Sequence, residues 1–334
     1  MSNLKDLAFS KEELLKCNGY SSKFIDGITN ISSASVLPKN RRQFLPKVEG
    51  NKTGILNYNH LSVFYHSLRK IPFFSAYNID GSEKKDKISR ANYFHSDDRI
   101  NSKIQLSSEF YGFKYKDLKS NKLRKVFEIG HVAAHNEMSW GKEAQIQAYR
   151  TFHFPNSFPQ AEILNNGLWK SLENYIINET STIDKNKKIC VFTGPFILSS
   201  DPVYKNDPEF QIPILFFKVI VFSTEKGLFS TAFVMSHEKR IKELDIIENT
   251  ESLFDKAEVS PVFLDFKYKK VFQISVNLLE RESGLNFTWK GVKKIKIKDQ
   301  INQLEIIKNT KDVFDASDQR KSFRSKEYIN IILP

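Results

Sequence analysis

Apolar positions in this chain alternate or gather in short runs more often than they recur at helical spacing. From about Ile55, HLSVFYHSL and IPFFSAYNIDG read as strands, the second closed by a turn at Asp80-Gly81. Further along, KICVFTGPFIL, IPILFFKVIVFS, LFSTAFVMS and KVFQISVNLLE are rich in β-branched and aromatic residues and continue a sheet. Between them KVFEIGHVAA reads as a strand and TFHFPNSFPQ as a short extended segment ending at Pro159. AEILNNGLWKSLENYIINET then carries Leu164, Leu168, Leu172 and Ile176 at the spacing of a helix's buried stripe. The order there is strand, loop, strand, helix.

Around this frame the pattern weakens. Polar, lysine-rich stretches between Gly81 and Lys125 predict long surface loops. Near the start, Ser10 can cap a short helix through KEELLKC that Gly19 stops, and PKNRRQFLPKVEGNKTG reads as a polar linker. We therefore expect an α+β fold, a central and mainly antiparallel sheet with packed helices over residues 55–295. An accessory or regulatory segment (1–54) precedes it and a basic extension (296–334) follows. The basic stretch KGVKKIKIKDQ is read as a solvated strand or loop face rather than a binding arm.

With 334 residues, 40% apolar composition, 28 Phe and 12 Tyr, the chain can bury a sizeable core, which excludes a disordered protein. Lys plus Arg exceed Asp plus Glu by 51 to 39, and the net charge of +12 would attract a polyanion such as nucleic acid. A lysine-rich surface kept for solubility accounts for that charge equally well. Cys17 and Cys190 are too few for a disulfide framework or a thiolate zinc site. The first twenty residues hold no uninterrupted apolar core of a secretion signal, and no apolar run reaches the length of a membrane span. The expectation is a soluble, cytoplasmic protein with no membrane partner.

Among seven histidines His131 is singled out by its place at a strand end in FEIGHVAAHNEMSWG, after Gly130, which permits close approach. An imidazole titrating near neutrality suits proton abstraction. His131 and His135 form an HxxxH, yet in a strand they would lie roughly 13 Å apart and could not share a metal. A zinc site using His131, His135 and His153 is the less favoured alternative. On the expected helix Asn165 and Glu173 sit eight residues apart, roughly 12 Å along the axis and about 80° around it. An amide oxygen suits a magnesium ion that keeps most of its waters, and a carboxylate nearby can hold those waters. A helix cap at Asn165 and a solvent-exposed Glu173 would explain the same residues without a metal.

A resemblance now bears on these residues. TFHFPNSFPQAEILNNGLWKSLENYI resembles the segment of the DNA/RNA non-specific endonucleases of the ββα-metal (His-Me finger) class, the Serratia-type nucleases and mitochondrial endonuclease G. Their pattern there is T-F, then S-N-x-x-P-Q, then L-N-x-G-x-W-x-x-L-E. FEIGHVAAHNEMSWG is similar to their D-R-G-H signature, and HLSVFYHSLRKIPFFSAYNIDG resembles the strand pair before it. VFTGPF, IPILFFKVIVF and LERESGLNF follow in the family's order, so the resemblance covers residues from about 55 to 290.

The resemblance implies a magnesium-dependent enzyme, with manganese as the alternative ion, that hydrolyses DNA and/or RNA to 5′-phosphate ends. His131 would be the general base, Asn165 the direct metal ligand, and Glu173 would act on the metal through water. Asn156, preceded by Pro155 where the family has serine, would hold the active-site loop. Arg90 in KISRANYFHSDDRI would contact the scissile phosphate. Where the family has Asp-Arg this chain has Glu128-Ile129, so the carboxylate is longer and a guanidinium is lost, for which Arg124 is one substitute. That loss keeps open a second reading, a weakened nuclease fold that binds nucleic acid or a partner protein. The resemblance also suggests a gated effector in bacterial defence, and leaves a homodimer and a regulatory partner as open possibilities.

Overall fold

The computed structural model describes residues 3–117, 121–161, 169–181, 188–247, 270–304 and 331–334. Its strands are β1 (Leu56–Tyr58), β2 (Leu61–His66), β3 (Ile71–Asp80), β4 (Lys114–Asp117), β5 (Lys122–Lys125), β6 (Glu128–His131), β7 (Ser157–Gln160) and β8 (Lys188–Pro195). They continue with β9 (Val203–Tyr204), β10 (Asp207–Gln211), β11 (Leu215–Thr224), β12 (Gly227–Ser236), β13 (Phe272–Ile274), β14 (Val292–Lys294) and β15 (Ile301–Gln303). Helices α1 (Leu4–Phe9), α2 (Lys11–Leu15), α3 (Ala144–Arg150), α4 (Trp169–Ser181), α5 (Glu238–Glu243) and α6 (Val276–Ser283) pack around them.

The two long apolar runs β11 and β12 pair along their whole length across a Glu225-Lys226 turn, and Gly227, at φ +111°, takes the backbone region that favours glycine. They anchor a sheet in the order β1-β2-β3-β8-β11-β12, all antiparallel. Beyond it β13 pairs antiparallel and β14 parallel with the free side of β12, and β15 edges β13. The fold is α+β with a large, mainly antiparallel sheet.

All ten residues of β3 are buried, so both faces of the sheet are covered and its polar side chains need partners. On one face Asn78 accepts from Ser21 N at 2.7 Å, and Phe192 packs on Tyr20 and Trp289. On the other, Ser75 Oγ donates to Asn156 Oδ1 at 3.1 Å and Phe216 stacks on Phe158 of β7 at 4.5 Å. That second face carries the β6–β7 ribbon and the cavity described below.

Several expectations change, among them KVFQISVNLLE, which is a strand only over Phe272–Ile274 before α6 begins at Val276. Residues 3–54 are not a separable accessory segment with a linker: Leu14, Ile31, Val36 and Leu37 are buried in the main core, and the stretch expected as linker forms a 3-10 helix over Lys39–Phe44. Arg41 of that helix donates to Ser283 O at 2.6 Å. These apolar residues follow no period, so their burial could not be seen in the pattern. The basic extension is likewise tied in at its start, since Ile297 and Leu304 are buried and β15 completes the sheet; residues 305–330 lie outside the described set. KVFEIGHVAA is a strand only over Glu128–His131, and α3 intervenes before β7.

A buried cluster joins the N-terminal residues to the sheet. Arg99 contacts Asp97 through Nε and Nη2, at 3.0 and 2.7 Å, and donates through Nη1 to Leu14 O and Asn57 O. Burial alone would raise the Asp97 carboxyl, but hydrogen bonds and charge from Arg99 outweigh it and hold it at about 2. His66, His153 and His237 are buried as neutral rings, each pushed down to about 4 chiefly by burial. His237 Nδ1 accepts from Ala161 N, a bond that protonation would break. In the unfolded chain these rings bind protons near pH 6.5 and in the fold only near 4, so stability is full above pH 6.5 and is lost as the pH falls. The raised Asp201 and Glu173 carboxyls act in the opposite direction and offset part of this. We predict that the unfolding free energy from urea titrations falls from pH 6.5 to 4 by on the order of a few kcal/mol net, before Asp97 titrates; a flat profile over that window would contradict it.

Candidate active site

The β6–β7 ribbon pairs Glu128 with Gln160, Ile129 with Pro159, Gly130 with Phe158 and His131 with Ser157. Gly130 is required because a Cβ there would meet the Gln160 side chain at 2.1 Å. The ribbon therefore lies tightly against its own partner strand, and His131 emerges at its end. Asn156, fully buried just before β7, accepts from Ala133 N and donates to Ala133 O and Thr151 O, each at 3.0 Å. With Ser75 as its fourth partner, Asn156 fixes the turn after His131 to β3 and leaves none of its amide free to act on a substrate.

His131 sits between Phe94 and Phe152, with ring centroids at 4.6 and 4.5 Å. Burial, aided by the charge of Arg90 and by His135, pushes its pKa well below the ordinary histidine range, so the ring is neutral at neutral pH. Nε2 is buried without a hydrogen-bond partner. The ring lines a cavity of about 610 Å³ that also meets Glu128, Ile129, Arg90 and Glu173. Lys125 and Lys170 complete a wall of three cations with Arg90, whose guanidinium rests over the Phe152 ring at 5.5 Å, and Tyr93 stands 74% exposed at the same cavity.

Beneath the cavity lies a network that sequence reading missed. Glu137 Oε2 accepts from Ala134 N at 3.0 Å and from Tyr77 OH at 2.7 Å, and its Oε1 accepts from Lys218 Nζ at 2.7 Å. Lys218 Nζ also donates to the Tyr77 oxygen at 2.8 Å and lies 3.9 Å from Glu173 Oε1. Two carboxylates thus share one ammonium, and burial, with Glu137 adding to it, raises the Glu173 carboxyl despite the pull of Lys218. The signal for Lys218 was a lysine in the middle of the apolar run ILFFKVIVF. Glu137, six residues after His131, offered no comparable mark.

His131, Glu128, Arg90 and Glu173 are brought to one cavity, with Asn156 behind it as a positioning residue. Asn165 lies outside the described residues. Arg124, on the exposed strand β5, is not among the residues of the cavity wall; the neighbouring Lys125 is. The alternative zinc trio is not assembled: the His135 nitrogens are taken by Ser89 O and Asn136 Oδ1, and the His153 ring packs against Tyr58 and Phe9.

The site residues present suit a hard, hydrated cation. Glu173 faces the cavity, and its raised pKa shows that burial and Glu137 outweigh Lys218, Lys170 and Arg90, so its ionised form lacks the positive charge that a bound cation would supply. Glu173 is the described residue that would hold such an ion, through water.

A family model for the DNA/RNA non-specific endonucleases matches residues 42–294, and the chain belongs to that family, whose members are metal-dependent nucleases. An uncharacterized protein, y4fB of Sinorhizobium fredii (strain NBRC 101917 / NGR234), is 28% identical over 248 residues, covering 72% of this chain and 34% of that protein. The chain thus spans about a third of the length of that curated relative. Among solved structures, a chain of the EndoG/EndoGI complex matches at 20% identity and a TM-score of 0.47, covering 74% of this chain and 86% of that one.

Removing Lys218 would leave Glu137 charged, buried and unpartnered. Lys218→Met should cost about 3–5 kcal/mol in urea unfolding, and adding Glu137→Gln should restore part of that loss. A single-variant loss under about 1 kcal/mol, or no recovery in the double variant, would contradict the network's role.

Proposed function

We propose that this chain is a magnesium-dependent endonuclease, able to use manganese, that hydrolyses the phosphodiester bonds of DNA and RNA to 5′-phosphate and 3′-hydroxyl ends. The observation that carries the reading is His131: an imidazole kept neutral by burial, set in a cavity lined by two carboxyl groups, Glu128 and Glu173, and three cations. His131 accepts the proton of the attacking water at a ring nitrogen within the cavity that it lines. The water oxygen forms the new bond to phosphorus, the bond to the 3′ oxygen breaks, and that oxygen takes a proton from solvent water to become the 3′-hydroxyl. Arg90, Lys125 and Lys170 offset the phosphate charge in place of the arginine that Ile129 replaces. When bound beside Glu173, with Asn165 as its proposed direct ligand, the cation supplies Lewis-acid stabilisation of the charge developing on the departing oxygen.

Contacts through lysines and arginine to the sugar-phosphate backbone carry little sequence information, which fits cutting of many sequences. We place the enzyme in the cytoplasm as a gated effector of bacterial defence, because a nuclease of low sequence preference has to be kept off its own cell's nucleic acid. Residues 3–54 do not line the cavity. Gating by that segment would instead run through α1, where Phe9 packs against His95 and His153 and Lys5 lies over the Tyr149 ring of α3.

The test is cleavage of plasmid DNA and a structured RNA with magnesium or with chelator, using the wild type and His131→Ala. Loss of a general base should lower the rate by about 10² to 10⁴, and chelator should abolish it. Cutting that survives both changes would overturn the reading. The depressed His131 pKa adds a second expectation: the proton-accepting form persists as pH falls, so the acidic limb of kcat/KM should lie below pH 6.5. A limb at or above pH 6.5 would show a different base.

A further inference from the structure

The β4–β5 ribbon carries charge that the fold itself does not use. In its antiparallel register Lys114 faces Lys125, Tyr115 faces Arg124 and Lys116 faces Leu123. Paired residues share a face and alternate along each strand, so Lys114, Lys125, Lys116 and Leu123 stand together on one side and Tyr115 on the other. The Tyr115 side is anchored: its hydroxyl accepts from Arg240 Nη2 at 2.6 Å, and its ring packs against the core. On the lysine side all four residues are exposed, Leu123 at 70%, and among the described residues Lys114, Lys116 and Lys125 make no salt bridge.

Like charges directly opposite across an antiparallel pair destabilise it, by up to about 1 kcal/mol, so Lys114 against Lys125 is a cost with no return inside the protein. A polyanion laid along this face would remove that repulsion and release counterions. The ribbon is also aimed: Lys125 lines the catalytic cavity, while Lys114 and Lys116 continue the charge away from it.

We propose that the β4–β5 ribbon is an arm that holds the substrate's phosphodiester backbone outside the cavity, with Lys125 at the rim and Lys114 and Lys116 beyond it. The inference rests on the nuclease reading and adds to it where the uncut length of a long substrate lies. Lysines act as point charges and read no base edges, so the arm serves length and not sequence.

The test compares Lys114→Gln/Lys116→Gln with the wild type on two substrates, a plasmid-length duplex and a p-nitrophenyl phosphodiester of thymidine too short to reach the arm. For the duplex, KM should rise about tenfold at moderate salt, and the slope of log KM against log salt should fall by about 1.8, since each phosphate contact contributes about 0.9. Turnover of the short substrate should not change. If the wild type cleaves both substrates and the variant keeps the duplex KM and salt slope, the arm is overturned and the nuclease reading stands. An equal loss on both substrates would also overturn it, by showing a general effect on the site. If the wild type cleaves neither substrate, the nuclease reading fails and takes the arm with it.

Discussion

The site depends on one buried ion pair, Glu137 with Lys218. Neither side chain is exposed, and they meet at 2.7 Å with Tyr77 bonded to both. Desolvating two charges is costly, and such a pair adds little net stability compared with apolar residues of the same size. What it does is position. Glu137 holds the turn after His131 through Ala134 N, and Lys218 and Tyr77 belong to β11 and β3 at the middle of the sheet. The turn after His131 is therefore tied to two central strands of the sheet. Because Lys218 is bonded to Glu137, it does not offset the burial of Glu173, whose carboxyl is raised and would ionise against a bound cation.

Much of the sheet was legible because its strands are long and strongly apolar: β3 and β8 fall within runs marked as strands, and β11 and β12 match theirs to within one residue at the turn. The N-terminal residues were misjudged for the opposite reason. Leu14, Ile31, Val36 and Leu37 are isolated apolar residues in polar surroundings, and they join the main core alongside segments far away in sequence, α2 against β1 and Val36 O accepting from Asn286 N. α3 was missed because its seven residues, AQIQAYR, are too few to establish a period.

In the site, His131, Glu128, Arg90 and Glu173 were found through residue type and resemblance, and they share a cavity. Asn156 makes four hydrogen bonds to protein groups, which is a scaffolding task that residue type alone could not separate from a catalytic one. Lys218 and Glu137 escaped notice because a buried pair is recognised only when both partners are seen together, and 81 residues separate them. Ile129 stands where the family has arginine, and it packs partly against the core while Arg90, Lys125 and Lys170 supply the cavity's positive charge. Positive charge at the site therefore comes from three separate segments, which no local motif could reveal.

The central claim is that water, deprotonated by His131, attacks the phosphorus and expels the 3′ oxygen. The most direct measurement is the chemistry of the ends produced from DNA and from RNA in magnesium. The account predicts 5′-phosphate and 3′-hydroxyl ends on both, the DNA ends being directly ligatable. A 2′,3′-cyclic phosphate from RNA with DNA left intact would mean attack by the ribose hydroxyl, and would contradict it.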